Sequence, residues 1–407
     1  MKIDFGFGCY IWKTFADTFE MKIPLLHSFY SCFYFAFPIF IILFSCQSPK
    51  EIKELDLVEI PNSYAKGFAI FQGEGFKVLE VRHAFPDKHP PFRYLVKENS
   101  DLKLDEAGFD AVISLPISKV VLTSTTHIPH LDYLEASDLL RGFPDLDLIS
   151  SPKTRKLIDA GKVSDLGKGA QANIEKIIEL DPDWVMISTL GEDLKNIEIL
   201  KSAKIPAFIN GEYVEQHPLG RAEWIKFTGV LLGKLEEAKT VFSKIESEYN
   251  QASELVKELP ENKPKVMAGV MYKDIWYVPG ADSWGARLLE VAGGEYLFKD
   301  QKGTGSAQLS YEYVLEVAQE SDFWLGASDF KTLVEMKYAD PRYSHFDAFQ
   351  NGNVYTYTLK KGPTGGLEYF ELGYLRPDLI LRDLIKILHP DLLPDYSLYF
   401  YSKLDEK

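Results

Sequence analysis

The sequence predicts an α/β protein with two Rossmann-like lobes, each built on a central, mostly parallel sheet, joined by a single long α-helix and preceded by a β-hairpin region. Three observations predict it. From Lys119 onward, short apolar strands alternate with amphipathic helices, the pattern of a parallel sheet covered on both faces. One motif occurs twice, as Asn173-Ile174-Glu175-Lys176-Ile177-Ile178-Glu179-Leu180 and as Ser310-Tyr311-Glu312-Tyr313-Val314-Leu315-Glu316-Val317. Between the copies runs a continuous helical stripe from Leu235 to Leu259.

The run from Phe29 to Phe44 is almost wholly apolar, follows Lys22 and contains Pro38. It falls short of the roughly 20 residues a spanning helix needs and suits the apolar core of a secretory signal. Leu43-Phe44-Ser45-Cys46 resembles a lipobox. Residues 1–45 are then a signal peptide, Cys46 is lipidated and begins the mature chain, and residues 46–63 tether it to the membrane. An uncleaved signal anchor is the competing reading, and Met21 is an alternative start. All three cysteines, Cys9, Cys32 and Cys46, lie here, so the body of the chain forms no internal disulfide and no thiolate metal site.

Around Gly73-Glu74-Gly75 and Pro90-Pro91, the segments Phe68 to Phe71, Phe76 to Val81 and Phe92 to Val96 alternate apolar and polar residues, which predicts the hairpin region. The N-terminal lobe spans 64–234, with strands at Val120 to Leu122, Trp184 to Ile187 and Ile205 to Ile209 and a helix near Leu131 to Leu140. The connector, 235–259, carries apolar residues at spacings of three and four and would run roughly 37 Å. Pro260 and Pro264 end it. The C-terminal lobe, 264–407, opens with the strand Val266 to Met271 and includes Phe323 to Leu325.

With 46% hydrophobic and 26% charged residues, the 407-residue chain can build sizeable cores. A net charge of −15 and a pI near 5.1 argue against nucleic acid, whose phosphates need clustered Lys and Arg. Each copy of the repeated motif sets an N-cap residue two places before a glutamate, and no nucleophile-and-base pair accompanies either glutamate. Matched acidic tips on two lobes are a docking geometry.

The segment from Asp165 through Asn173-Ile174-Glu175 to Asp181-Pro182-Asp183-Trp184 is similar to the signature of periplasmic substrate-binding proteins of ABC importers. The class meant is the one with a rigid interlobe helix, which takes ferric siderophores, cobalamin or haem. Gly229 to Ala238, Leu288 to Gly294 and Gln350 to Tyr355 add to the resemblance, which covers about Lys119 to Pro390. It implies a monomeric, lipid-anchored receptor in the cell envelope that needs no cofactor of its own. It also implies that Glu175 and Glu312 dock on arginines of a membrane permease.

The ligand is expected between the lobes, at the carboxyl ends of the strands. That selects Thr123 to His130, Lys168 to Ala172, Tyr272 to Trp284 and Gly303 to Gln308. From these stretches Tyr272, Trp276, Tyr277 and Trp284 are aromatic wall candidates, and Arg287, just beyond Trp284, is a partner for anionic ligand groups. Gly169 and Ser306 stand near the docking glutamates, where cobalamin binders of the class carry tryptophans, so a ferric siderophore ranks first, cobalamin second and haem third. His127 and His130, three apart, are the best metal-facing pair, although a hydrogen-bonded cleft role is favoured for them. The glycine clusters at Gly303 to Gly305 and Gly362 to Gly366 lack a P-loop ending and read as turns. An enzyme is not expected; were it one, Asp181, Asp183 and Glu371 are the acids to test.

Overall fold

The computed structural model describes residues 57–84, 90–168, 172–188, 194–259 and 262–407. The proposed signal peptide, all three cysteines, most of the tether, Gly169 and Pro260 lie outside the described residues.

The hairpin region proves to be a five-stranded sheet. Val58–Ile60, Phe68–Gly73, Phe76–Val81, Phe92–Lys97 and Ala111–Ser114 pair in sequence order, antiparallel except for the last pair. One face, with Phe68, Leu79 and Tyr94, packs on Trp224 and Phe227. The other buries Phe76, Val78 and Leu95 beneath Leu102, Leu104 and Phe109. A strap before the second strand is held by two buried carboxylates: Glu223 accepts the N–H groups of Ser63, Tyr64 and Ala65 at 2.8 Å, and Glu215 those of Lys66 and Gly67 at 2.9 and 2.7 Å.

The N-terminal lobe is an all-parallel sheet in the order Ala207–Asn210, Trp184–Ser188, Val120–Leu122, Leu140–Phe143, Ser164–Asp165. The helix expected near Leu131 to Leu140 is corrected to a short one at Ile128–Tyr133, and Leu140 starts a strand. Glu135 sits at φ 50°, a left-handed conformation that a continuing helix cannot contain.

In the C-terminal lobe, Glu295–Tyr296, Lys265–Ala268, Phe323–Leu325 and Val354–Thr356 are parallel and Ser402–Lys403 closes the edge antiparallel. The strand expected over Val266 to Met271 splits at Gly269. There φ is +85°, and a Cβ would meet the Tyr277 carbonyl oxygen at 1.8 Å. Its second half, Val270–Tyr272, joins Ile275–Pro279 and Ser306–Ser310 in a separate antiparallel sheet.

The connecting helix covers Leu235–Glu254, 20 residues or about 30 Å, shorter than the stripe that runs to Leu259 because the last turn loosens after Leu255. Leu235 belongs to the N-terminal core, whereas Phe242, Ile245, Tyr249 and Ala252 belong to a core that extends through the C-terminal lobe. Residues Pro49–Lys407 are accordingly one compact unit.

The lobes are also joined away from this helix. Glu371 accepts the N–H groups of Ser150 and Ser151, and the Thr364 hydroxyl donates to the Asp147 carbonyl at 2.7 Å. Arg376 donates to the Tyr133 hydroxyl of the N-terminal lobe, and its other terminal nitrogen ties back to Glu248 on the connecting helix, each at 2.9 Å. At Gly366 a Cβ would lie 2.1 Å from the Leu148 carbonyl oxygen. The glycine cluster that reads as a turn is therefore also a backbone-to-backbone contact between lobes.

Candidate ligand cavity between the lobes

Two N-terminal-lobe residues, Tyr213 and Arg221, face a wall of C-terminal-lobe residues across a cavity of about 360 Å³. Arg221 lies on the helix Pro218–Glu223, where Leu219, Ala222 and the following Ile225 are fully buried. Its own side chain is 1% exposed. Nε donates to the Glu215 carbonyl at 3.1 Å and Nη2 to the Tyr213 carbonyl at 2.5 Å, while the buried Nη1 has no hydrogen-bond partner among the described residues.

Aromatic rings enclose the guanidinium. Its carbon is 4.5 Å from the ring centre of Tyr374, 5.1 Å from that of Trp284 and 5.5 Å from that of Tyr213. Such contacts stabilise a cation by their quadrupoles but do not satisfy its N–H donors. Arg221 makes no ion pair among the described residues, although Glu212 and Glu215 are near enough for its charge to act on them. A buried guanidinium with a free donor is costly unless an anion arrives.

Trp284 opens the helix Trp284–Val291, capped by the Ser283 hydroxyl, which accepts from the Ala286 N–H at 3.2 Å. The helix start, with its positive dipole end, lines the cavity. Tyr277 and Ser306, expected here, do line it, as do Tyr357, Tyr369 and Tyr401, which sequence did not single out. Burial raises the phenols of Tyr357, Tyr369 and Tyr374, keeping them as protonated donors at neutral pH.

The other predicted residues are elsewhere. Trp276 is wholly buried, packs tilted with its ring centre 5.2 Å from that of Trp324 and donates to the Ala268 carbonyl at 3.1 Å. Tyr272 is 61% exposed, with the Lys273 ammonium 5.1 Å over its ring. Arg287 is exposed and pairs with Glu290 at 3.3 Å.

His127 and His130 are buried in the N-terminal lobe, outside the cavity wall. His130 Nδ1 lies 2.8 Å from the Thr228 hydroxyl, and burial pushes its pKa down to about 3. His127 is also held neutral, by burial and then by His130; its Nε2 is 3.8 Å from Glu212, whose carboxyl burial pushes up to about 7. Among the described residues, no three His, Cys, Asp or Glu side chains converge as a metal site.

Glu175 and Glu312 are both exposed in the first turns of Ile174–Leu180 and Tyr311–Ala318. Asn173 accepts from the Lys176 N–H and Ser310 from the Tyr313 N–H, so the two copies of the motif carry the same cap. Neither glutamate forms an ion pair among the described residues.

Comparison with known proteins agrees with this architecture. Residues 136–360 match the periplasmic binding protein family model, and the chain belongs to that family. It is 30% identical over 309 residues to an uncharacterized lipoprotein of Methanocaldococcus jannaschii, covering 72% of this chain and 70% of that one. Among solved structures, the periplasmic haem-binding protein RhuT from Roseiflexus superposes with a TM-score of 0.53 at 17% identity, covering 68% of this chain and all of that one (100%). Helicobacter pylori CeuE, with Ni(II) bound and as a Ni-His complex, gives a TM-score of 0.53 at 19–20% identity over 70% of this chain and 87–88% of its own length in two structures.

Proposed function

We propose that this protein is the substrate-binding lipoprotein of an ABC importer, anchored at Cys46 in the cell envelope, which captures a metal complex and delivers it to a permease through Glu175 and Glu312. A ferric siderophore is the first candidate ligand, with cobalamin and haem behind it. The observation that carries the reading is Arg221: a buried cation with an unpartnered donor, ringed by aromatics in a cavity between two lobes. An anionic chelating group of the ligand satisfies that donor, and the rings cover its apolar surface. At about 360 Å³ the cavity is at the small end for ligand sites, which favours a compact chelate or one arm of a larger one.

The family and the structural neighbours named for haem and for bound nickel support the metal-complex class. Of the three acids singled out for an enzyme, Asp181 is exposed, 3.8 Å from the Lys119 ammonium, and the other two are occupied. Asp183 accepts from the N–H groups of Ser118 and Lys119 and from the Ser118 hydroxyl, and Glu371 holds the two lobes together.

The test is calorimetric titration of the protein with a panel of ferric chelates, cobalamin and haem, repeated on Arg221→Gln. Binding of one complex without chemical change, weakened about a hundredfold or more by the substitution, is the expected result. Release of an altered product, or an affinity indifferent to Arg221, overturns the reading.

A further inference from the structure

A second cavity, of about 760 Å³, shares only Thr304 with the first. Its walls come from distant parts of the chain: Lys66 in the strap, His83 after the third strand, His217 at the cap of the Arg221 helix, Tyr249 on the connecting helix and Arg287 on the Trp284 helix. Lys66 and His83 precede residue 136, so they stand outside the segment that matches the family.

Basic side chains gather here in a chain whose net charge is −15. Lys66, His83, His217 and Arg287 all face this groove. Its one acidic wall residue, Glu215, is buried and already accepts from the Lys66 and Gly67 N–H groups and from the Trp224 indole at 3.2 Å. Glu223, close enough to act on His217, is likewise committed, to the strap and to Lys226 at 2.6 Å. Glu290 reaches Arg287 only as an exposed pair, which is worth little. Burial, and then the Arg287 charge, hold His217 below the usual imidazole range; its Nδ1 accepts the Leu219 N–H at 3.1 Å, so the neutral ring offers Nε2–H as a donor beside the Lys66 and Arg287 cations.

Tyr249 adds a donor to the same wall. Tyr249 is 4% exposed, and its buried hydroxyl has no hydrogen-bond partner among the described residues. A buried phenol without a partner, under a rim of positive charge, suits an acceptor carrying negative charge.

We propose that this groove is an oxyanion site, taking a group with two or more carboxylate or phosphate charges on Lys66, His217 and Arg287 and accepting a hydrogen bond from Tyr249. It does not depend on what fills the Arg221 cavity. The anion is either free or the outer part of a ligand that reaches across Thr304.

Citrate is the probe, titrated calorimetrically into the full chain at constant ionic strength. The wild type is expected to bind it, and Lys66→Glu with Arg287→Glu to weaken binding at least about tenfold. Both side chains are exposed, so unchanged thermal unfolding is the accompanying expectation. Tyr249→Phe, which removes only the hydroxyl, is expected to weaken binding by about threefold. An Arg221→Lys variant separates the sources: unchanged citrate affinity means a free anion, and a parallel loss means one ligand spanning both cavities. Citrate affinity of the double variant within about twofold of wild type, or no wild-type binding at about 10 mM, overturns the proposal.

Discussion

Glu371 reaches across the lobe boundary to accept the backbone N–H of Ser150 at 2.7 Å, and its second oxygen takes that of Ser151 at 2.8 Å. Burial pushes its pKa from 4.5 to about 7, because desolvation outweighs these two hydrogen bonds. Between those values the folded chain binds more protons than the unfolded one. The stabilisation is therefore full below about pH 4.5 and is lost as pH rises through 7. In Glu371→Gln, the loss of stability relative to wild type, read by urea unfolding, is expected to be larger at about pH 5 than at about pH 8, by on the order of 2 kcal/mol. An equal loss at both pH values contradicts this.

Two tryptophans eight residues apart are expected to separate stability from binding. Trp276 is fully buried against Trp324, Tyr343 and Phe346, so Trp276→Ala should cost about 3–5 kcal/mol in chemical unfolding. Trp284 is only partly buried and faces the cavity, so Trp284→Ala should cost less than about 2 kcal/mol while weakening ligand about tenfold. The reverse order of stability losses refutes the assignment of the two roles.

Reversing both exposed glutamates, Glu175→Arg with Glu312→Arg, should leave ligand affinity within about twofold and reduce transport by at least about tenfold when measured with the permease in vesicles. Undiminished uptake removes the docking role.

The elements legible in the sequence are those whose signal is local. Phe323–Leu325 stands where its apolar run places it, and Trp184–Ser188 differs by one residue. Caps at Asn173 and Ser310 are read from neighbouring residues alone. Leu140–Phe143 was hidden because the apolar spacing before it continues past the left-handed Glu135, which no periodicity reveals. Of the cavity, Trp284 and Ser306 were legible because they begin a helix and a strand of the second lobe, and Tyr277 as an aromatic in the stretch that follows its first strand. Arg221 was not, since a charged residue in a short helix reads as a solvated one. The signal available was its position four residues before Ile225 and beside Leu219 and Ala222, on a face too apolar for an exposed cation. Glu371 was legible only as a loose acid, because its partners are more than two hundred positions away.

The strap from Ser63 to Gly67 has a consequence for the order in which this chain can mature. Its five amide groups find their acceptors only in Glu215 and Glu223, roughly 150 residues later in synthesis. The opening sheet must therefore wait, incompletely fastened, until the middle of the polypeptide has emerged. A chain truncated before residue 215 would leave that early sheet without its fastening and open to proteolysis.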